Sequence, residues 1–259
     1  MRLLDWLSGP SAAFGRGVED SRRAMSWMRH TLKGNRIAPA GSCESPESGC
    51  PPVLLIHGYL ATRGSLGLLE RRLTDMGHLV LSYRLGLLHT ADISESAAFI
   101  ARKVESIAAQ TGLVHMDVVG HSMGGLVALY YIKRMGGKRR VRRLVMLGTP
   151  VAGTWSALLG VAAAPLGRAS IQLLPGSRFL RELAEGSLPE GPEIVCISGE
   201  RDRLAPANRT YLAGVRHICL PTNHAGLLVD ERVAAVVGEI LSASPPNSTT
   251  YGEAAANRR

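Results

Sequence analysis

Between residues 53 and 241 of this 259-residue chain, short apolar runs alternate with longer amphipathic ones. That alternation constrains the fold more than any other feature. The strand candidates are "VLLIH" (53–57), "LVLSY" (79–83), "MDVVG" (116–120), "RLVMLG" (143–148), "EIVCIS" (193–198) and "RHICL" (216–220). Several are continuously apolar and rich in β-branched residues, as strands covered on both faces must be. Helix candidates fall between and after them, at 63–76, 92–110, 124–135 and 227–241. Asp92 followed by Glu95 makes a capped helix start, and Gly112 marks that helix's end. Strands alternating with helices predict a parallel sheet with right-handed crossovers. Ligands of such sheets bind beyond the carboxyl ends of the strands, so chemistry-bearing residues are expected just after strands.

The rest of the chain divides around this region. Residues 1–37 form a basic, amphipathic N-terminal segment in which Met25, Met28 and Leu32 recur at helical spacing beside Arg22, Arg23, Arg29 and Lys33. Residues 38–52, "APAGSCESPESGCPP", read as a linker, because clustered Pro, Gly and Ser neither continue a helix nor pair in a sheet. The tail 242–259 is polar and expected to be disordered. At 46% hydrophobic and 20% charged the composition is that of an ordinary globular protein, but a net charge of +9 is not. No apolar run approaches the roughly 18 residues a membrane span needs. Asp5, Arg16, Glu19 and Asp20 interrupt the start, so a Sec-type signal is not expected and a cytoplasmic setting is. Cys196 and Cys219 lie in strand-like runs and read as buried core thiols. Cys43 and Cys50 could close a ring only in an oxidising compartment. With no CxxC pair, neither zinc nor redox chemistry is expected.

Four signals coincide at strand ends. "VVGHSMGGL" (118–126) contains Gly120-His121-Ser122-Met123-Gly124, a G-x-S-x-G match, and it follows a strand and opens a helix. That context makes Ser122 a candidate nucleophile at a strained turn, with the following helix N-terminus pointing N–H groups at the site. In "LLIHGYLAT" (54–62), His57-Gly58 would turn the chain sharply, so that the N–H of Tyr59 joins that of Met123 as an oxyanion hole, worth about 3 kcal/mol. Any tight turn gives the same His-Gly signature. In "CISGERDRLAPANR" (196–209), Asp202 stands in the turn after a strand, with Glu200 as a backup; an Asx turn is the ordinary reading of a lone Asp there. In "CLPTNHAGLLVD" (219–230), His224 follows the last strand and is the candidate base, although a surface loop histidine is the ordinary alternative. The order Ser122, Asp202, His224 matches the α/β-hydrolase arrangement.

From about Pro52 to Leu241 the chain resembles the compact bacterial lipases and esterases of the α/β-hydrolase superfamily. The resemblance lies in "HGYLAT", "SAAFIARKVESIAAQTG", "DVVGHSMGGLVALYYIKR", "LVMLGTPVAGT" and "NHAGLL". It implies an α/β-hydrolase fold over 53–241, a mostly parallel central sheet with helices on both faces and a small apolar cap insertion at 151–190. It places a catalytic triad on Ser122, Asp202 and His224, and oxyanion donors on Tyr59 and Met123. Val151 departs from the pattern, since many relatives carry a polar residue after the Thr-Pro; a changed pocket wall is expected.

The expected reaction is hydrolysis of a carboxylic ester through an acyl-enzyme on Ser122. A thioesterase or an acyltransferase would use the same triad, and a non-catalytic binding scaffold would keep the fold without turnover. The apolar insertion, with Trp155 and Leu158 in it, reads as an acyl-binding wall for a lipid-like substrate, or as mere packing. His57, Gly58, His121, Val151 and Trp155 are the expected substrate-side residues; no metal or organic cofactor is implied. "KRMGGKRRVRR" (133–143), with seven basic residues in eleven, reads as a solvated basic loop away from the site. For it and the N-terminal segment, an anionic membrane surface is the alternative partner. Nucleic acid is not expected, because aromatic interleaving is missing.

Overall fold

The computed structural model describes residues 9–32, 51–85, 89–158 and 167–244, with backbone alone for 9–16. Most of the linker, both linker cysteines, most of the tail, and Leu159, Val161 and Leu166 of the apolar insertion lie outside the described residues. All six expected strands form: β1 (Val53–Ile56), β2 (Val80–Ser82), β3 (Met116–His121), β4 (Val141–Leu147), β5 (Glu193–Gly199) and β6 (Arg216–Leu220). They build one sheet in the order β2-β1-β3-β4-β5-β6, with every pairing parallel. Side chains alternate between its two faces. Leu54, Ile56, Val118, Leu144, Met146 and Cys196 enter one core; Val53, Leu55, Val119, Val145, Leu147 and Ile197 enter the other.

Helices cover both faces, which is why the strands carry unbroken apolar runs. On the first face lie α3 (Ile93–Thr111) and α4 (Met123–Arg134), together with two short helices of the apolar insertion, α5 (Arg168–Gln172) and α6 (Arg178–Ala184). On the second lie α2 (Gly67–Asp75), α8 (Gly226–Val229) and α9 (Glu231–Ser242). A further short helix, α7 (Ala207–Thr210), follows the β5 loop, and α1 (Gly9–Leu32) packs on the 3-10 turn Arg63–Leu66 and on α8. Asp92 caps α3, its side chain accepting from the N–H of Ser94, and Gly112 ends that helix in the left-handed region. Among the described residues no helix is long and apolar enough to cross a membrane.

Three expectations change. The segment 227–241 is two helices, because Asp230 leaves helical geometry and caps α9 by accepting from the N–H of Arg232. Cys219 is exposed rather than a core thiol, because β6 is the edge strand and its burial is partial. The basic run 133–143 is not a solvated loop. β4 begins inside it at Val141, and Arg143 is among the most buried large side chains of the protein. Its guanidinium meets Glu193 Oε2 at 2.7 Å and donates to the carbonyls of Leu241 and Ala243, closing the C-terminus of α9. Arg142 pairs with the buried carboxylate of Asp117, Arg140 with Glu105, Arg134 lies 3.8 Å from Glu185, and Lys133 donates to the carbonyl of Leu183 at the end of α6. Of the seven, Lys138 and Arg139 are exposed with no ion pair among the described residues, and both lie in the α4–β4 connection.

Candidate active site

Ser122 stands between β3 and α4 with φ 53° and ψ −124°, a backbone conformation that costs a non-glycine residue roughly 1–3 kcal/mol. The turn survives because its surroundings leave no alternative. The N–H of Ser122 donates to Leu147 of β4 at 2.8 Å, and its carbonyl accepts from Gly125 at 3.1 Å. A Cβ at Gly124 would fall 2.2 Å from the carbonyl oxygen of Ile56, so only glycine lets α4 start this close to β1. The His57-Gly58-Tyr59 turn lies against the same serine: a Cβ at Gly58 would sit 2.9 Å from Ser122 Cβ. Met123, the first residue of α4, is fully buried behind it.

Asp202 and His224 arrive from the loops after β5 and β6. His224 Nδ1 donates to Asp202 Oδ2 at 2.6 Å, which places the ring's proton on Nδ1 and leaves Nε2 as the acceptor. The other carboxylate oxygen, Oδ1, accepts from the N–H groups of Leu204 (2.9 Å) and Ala205 (2.7 Å). The Asx turn and the acid partner are therefore one residue doing both: one oxygen shapes its own loop while the second orients the imidazole. The carboxylate of Asp202 is wholly buried, and 14% of the His224 side chain is exposed. Glu200, the backup acid, is exposed.

His121 joins the serine turn to this pair. Its Nε2 donates to the carbonyl of His224 at 3.2 Å, and the two rings lie 4.6 Å apart. Burial, then the neighbouring His224, hold His121 well below the usual histidine range, so the ring is neutral. His57 is likewise buried and pushed down to about 4 by desolvation. Both rings are thus buried, while Val151 is half-buried against the α3–α4 core and Trp155 is 61% exposed.

The insertion after β4 crosses this edge of the sheet. The N–H of Ala169 on α5 donates to Thr90, and Gln172 accepts from the N–H of Ile93 at the start of α3. At the other end Thr154 donates to the carbonyl of Leu204, inside the Asp202 loop. Phe179, Leu180 and Leu183 of α6 pack into the core, whereas Trp155, Leu158 and Ile171 are exposed.

Three contributions are invisible in the motifs. His89, buried and with φ 46°, stands edge-on to His57 at 4.8 Å and donates from Nδ1 to the carbonyl of His57 at 2.9 Å. Gly148, at φ 55°, lets the end of β4 pass the acid–base pair; a Cβ there would lie 3.0 Å from Asp202 Oδ2 and 3.1 Å from His224 Nδ1. The third is α1. Asp20 binds Arg201 through two contacts of 2.8 and 3.1 Å, and its carbonyl accepts from Asn223 Nδ2 at 3.3 Å. Arg23, also buried, meets Asp230 Oδ2 at 2.8 Å. The hydrogen bond from Arg201 holds the Asp20 carboxyl below its usual range. The only sequence cue for α1 was its amphipathic spacing, which did not say what its inner face meets.

A family model described as the alpha/beta hydrolase fold matches residues 40–188, more than half of the chain, up to the approach to β5. Among solved structures, the lipase BlEst2 of Bacillus licheniformis is similar in its mature form with a TM-score of 0.64 at 16% identity, covering 77% of this chain and 95% of that one. Its propeptide form gives a TM-score of 0.66 at 16% identity and covers 78% of this chain, which spans only 52% of that one. Lipase B of Aspergillus fumigatus gives 0.68 at 17% identity over 83% of this chain and 60% of its own. The fold is shared at identities too low to carry a substrate. The chain belongs to the alpha/beta hydrolase fold family.

Proposed function

We propose that this protein is a serine hydrolase of carboxylic esters, lipase- or esterase-like, working through an acyl-enzyme on Ser122. The observation that carries this reading is the 2.6 Å hydrogen bond from His224 to Asp202 at the sheet edge where Ser122 holds its strained turn. The proposed nucleophile, acid and base come from the loops after β3, β5 and β6, which supports acyl transfer.

In this mechanism His224 Nε2 takes the hydroxyl proton as Ser122 Oγ attacks the ester carbonyl carbon. The carbonyl oxygen becomes an oxyanion, received by the backbone N–H groups of Tyr59 and Met123. The ester C–O bond breaks, and the leaving alcohol takes the proton back from Nε2. Water then repeats the sequence, releasing the carboxylic acid. Asp202 stays ionised throughout; it fixes the tautomer and stabilises the imidazolium. His57, His121 and Gly58 support the turn from behind, while Val151, Trp155, Leu158 and Ile171 form the apolar side from which an acyl chain approaches.

Ser122→Ala tests this directly. The wild-type protein is expected to take up a fluorophosphonate probe and to release p-nitrophenol from acetate, butyrate, octanoate and palmitate esters, and the variant to do neither. Labelling of the variant at the wild-type rate would remove Ser122 as the nucleophile. Labelling of the wild type with only one equivalent of p-nitrophenol released would replace hydrolysis with transfer to another acceptor, and labelling with no release at all would point to a different substrate.

A further inference from the structure

The helix α1 has two unlike faces. Its inward face carries Asp20, Arg23 and Trp27, which are engaged with the domain as described. Its outward face carries Val18, Met25, Met28 and Leu32, exposed to 38, 57, 55 and 79%. Spacings of seven, three and four residues align these side chains on about a third of the helix circumference. Arg22 and Arg29 fall on the same arc, and both are exposed. A groove of about 390 Å³ beside them is lined by Arg22, Met25, Ser26, Arg29 and His30.

Both carboxylates of the described helix side chains lie off this arc. Glu19, exposed beside the arginine margin, pairs with Arg23 and lies 4.0 Å from Arg232, and Asp20, on the domain side, pairs with Arg23 and Arg201. The arc of the outward face is therefore apolar in its centre and cationic along one margin, and the one exposed carboxylate beside it, Glu19, is engaged by Arg23. A water-facing helix of a globular domain carries polar side chains there. The other basic cluster, 133–143, makes the contrast: its charges are mostly spent on ion pairs and helix carbonyls, and it offers no apolar stripe.

We infer that the outward face of α1 docks on an anionic phospholipid surface. Val18, Met25, Met28 and Leu32 enter the boundary between headgroups and acyl chains, and Arg22 and Arg29 meet lipid phosphates at the groove. Apolar burial and attraction to anionic headgroups act together in such a helix lying in the interface plane. A second copy of the chain would be a poor occupant, because a twofold contact on this face would bring the paired arginines of both helices together without a carboxylate between them. The inference does not depend on the proposed reaction, since it concerns binding and not turnover.

Co-sedimentation of the full chain with vesicles tests it. The wild type is expected to pellet with vesicles containing phosphatidylglycerol, to stay in the supernatant with pure phosphatidylcholine, and to be released by high salt. The double variant Arg22→Glu/Arg29→Glu should bind more weakly by at least about fivefold per arginine. Met25→Asp/Met28→Asp should also lose the pellet, and Lys138→Glu/Arg139→Glu should keep it. Equal binding to both vesicle types, or wild-type binding by both α1 variants, overturns the assignment. So does loss of binding in the Lys138/Arg139 control. A fall of several degrees in Tm for the methionine variant would place the stripe against the chain itself, and a concentration-dependent dimer abolished by the same variant would place it against a second copy; either result overturns lipid docking. Esterase activity is not read in this experiment, so its outcome and that of the Ser122 test are separable.

Discussion

The two ends of the sheet differ in how they hold buried charge and backbone strain. At the amino end, Asp117 and Arg143 lie almost fully inside the protein, and each is saturated: Asp117 by Arg142, Arg143 by Glu193 and two helix carbonyls. Buried polar atoms with no hydrogen-bond partner among the described residues occur at both ends: His57 Nε2, His121 Nδ1, Thr149 Oγ1 and Thr222 Oγ1 at the carboxyl end, and His78 Nε2 and Tyr131 Oη at the amino end. Backbone strain does separate them: Ser122, Leu60 and His89 hold positive φ at the carboxyl end, and no other described non-glycine residue does. Paired burial of charge is what a folding core selects; a strained backbone persists only where the surrounding structure over-determines it, and such strain clusters at functional sites. On the proposed reading one end keeps the molecule folded and the other serves the reaction.

The contrast predicts that substitutions at the two ends separate activity from stability. Asp202→Asn keeps an oxygen for the N–H groups of Leu204 and Ala205 but ceases to hold the correct His224 tautomer. Turnover on a p-nitrophenyl ester should fall by about 10⁴, a loss near 5 kcal/mol in the barrier, with little change in Tm. A variant that lost stability instead would make the acid a folding residue and blur the distinction. Arg143→Ala should do the reverse. Leaving Glu193 and two α9 carbonyls without their donor should cost about 3 kcal/mol in urea unfolding, with turnover per folded molecule unchanged. Reduced turnover with intact stability would break the comparison from the other side.

Acid gives the third effect. Burial pushes His57 down to about 4 and His89 to about 3, while an unfolded histidine titrates near 6.5. Between those values the unfolded chain binds more protons, so stability is complete above about pH 6.5 and declines as pH falls towards 4 and then 3. His57→Gln and His89→Gln should each flatten the acid limb of a Tm-versus-pH curve relative to wild type. Parallel curves would mean that the carboxylates alone set acid sensitivity.

How much of this was legible depended on whether a residue's role followed from its neighbours in sequence. Strands buried on both faces must be continuously apolar, so all six could be placed within a few residues. Ser122, Asp202 and His224 could be picked out because each follows a strand and the parallel sheet brings strand ends together. His89 could not: it comes seven residues after Ser82, and only tertiary folding brings it back beside His57. Arg143 reads as solvated because a charge in a basic run normally is; its burial depends on Glu193 and the end of α9, fifty and nearly a hundred residues away. The break at Asp230 was hidden because apolar periodicity continues across it, and the exposure of Cys219 because strand order is not written in any one strand.

Asp20 has a consequence that reaches past its own ion pair. Its carboxylate grips Arg201, the residue before Asp202, and its carbonyl grips Asn223, the residue before His224. The relative position of acid and base is therefore gauged against one point on a helix that belongs to neither loop. Lifting α1 and unsettling that gauge are a single thermodynamic event, so free energy that holds the helix down also narrows the spread of geometries open to the pair. Linkage makes the relation reciprocal: whatever favours the aligned pair at the serine must, by the same factor, hold the N-terminal helix more firmly to the domain.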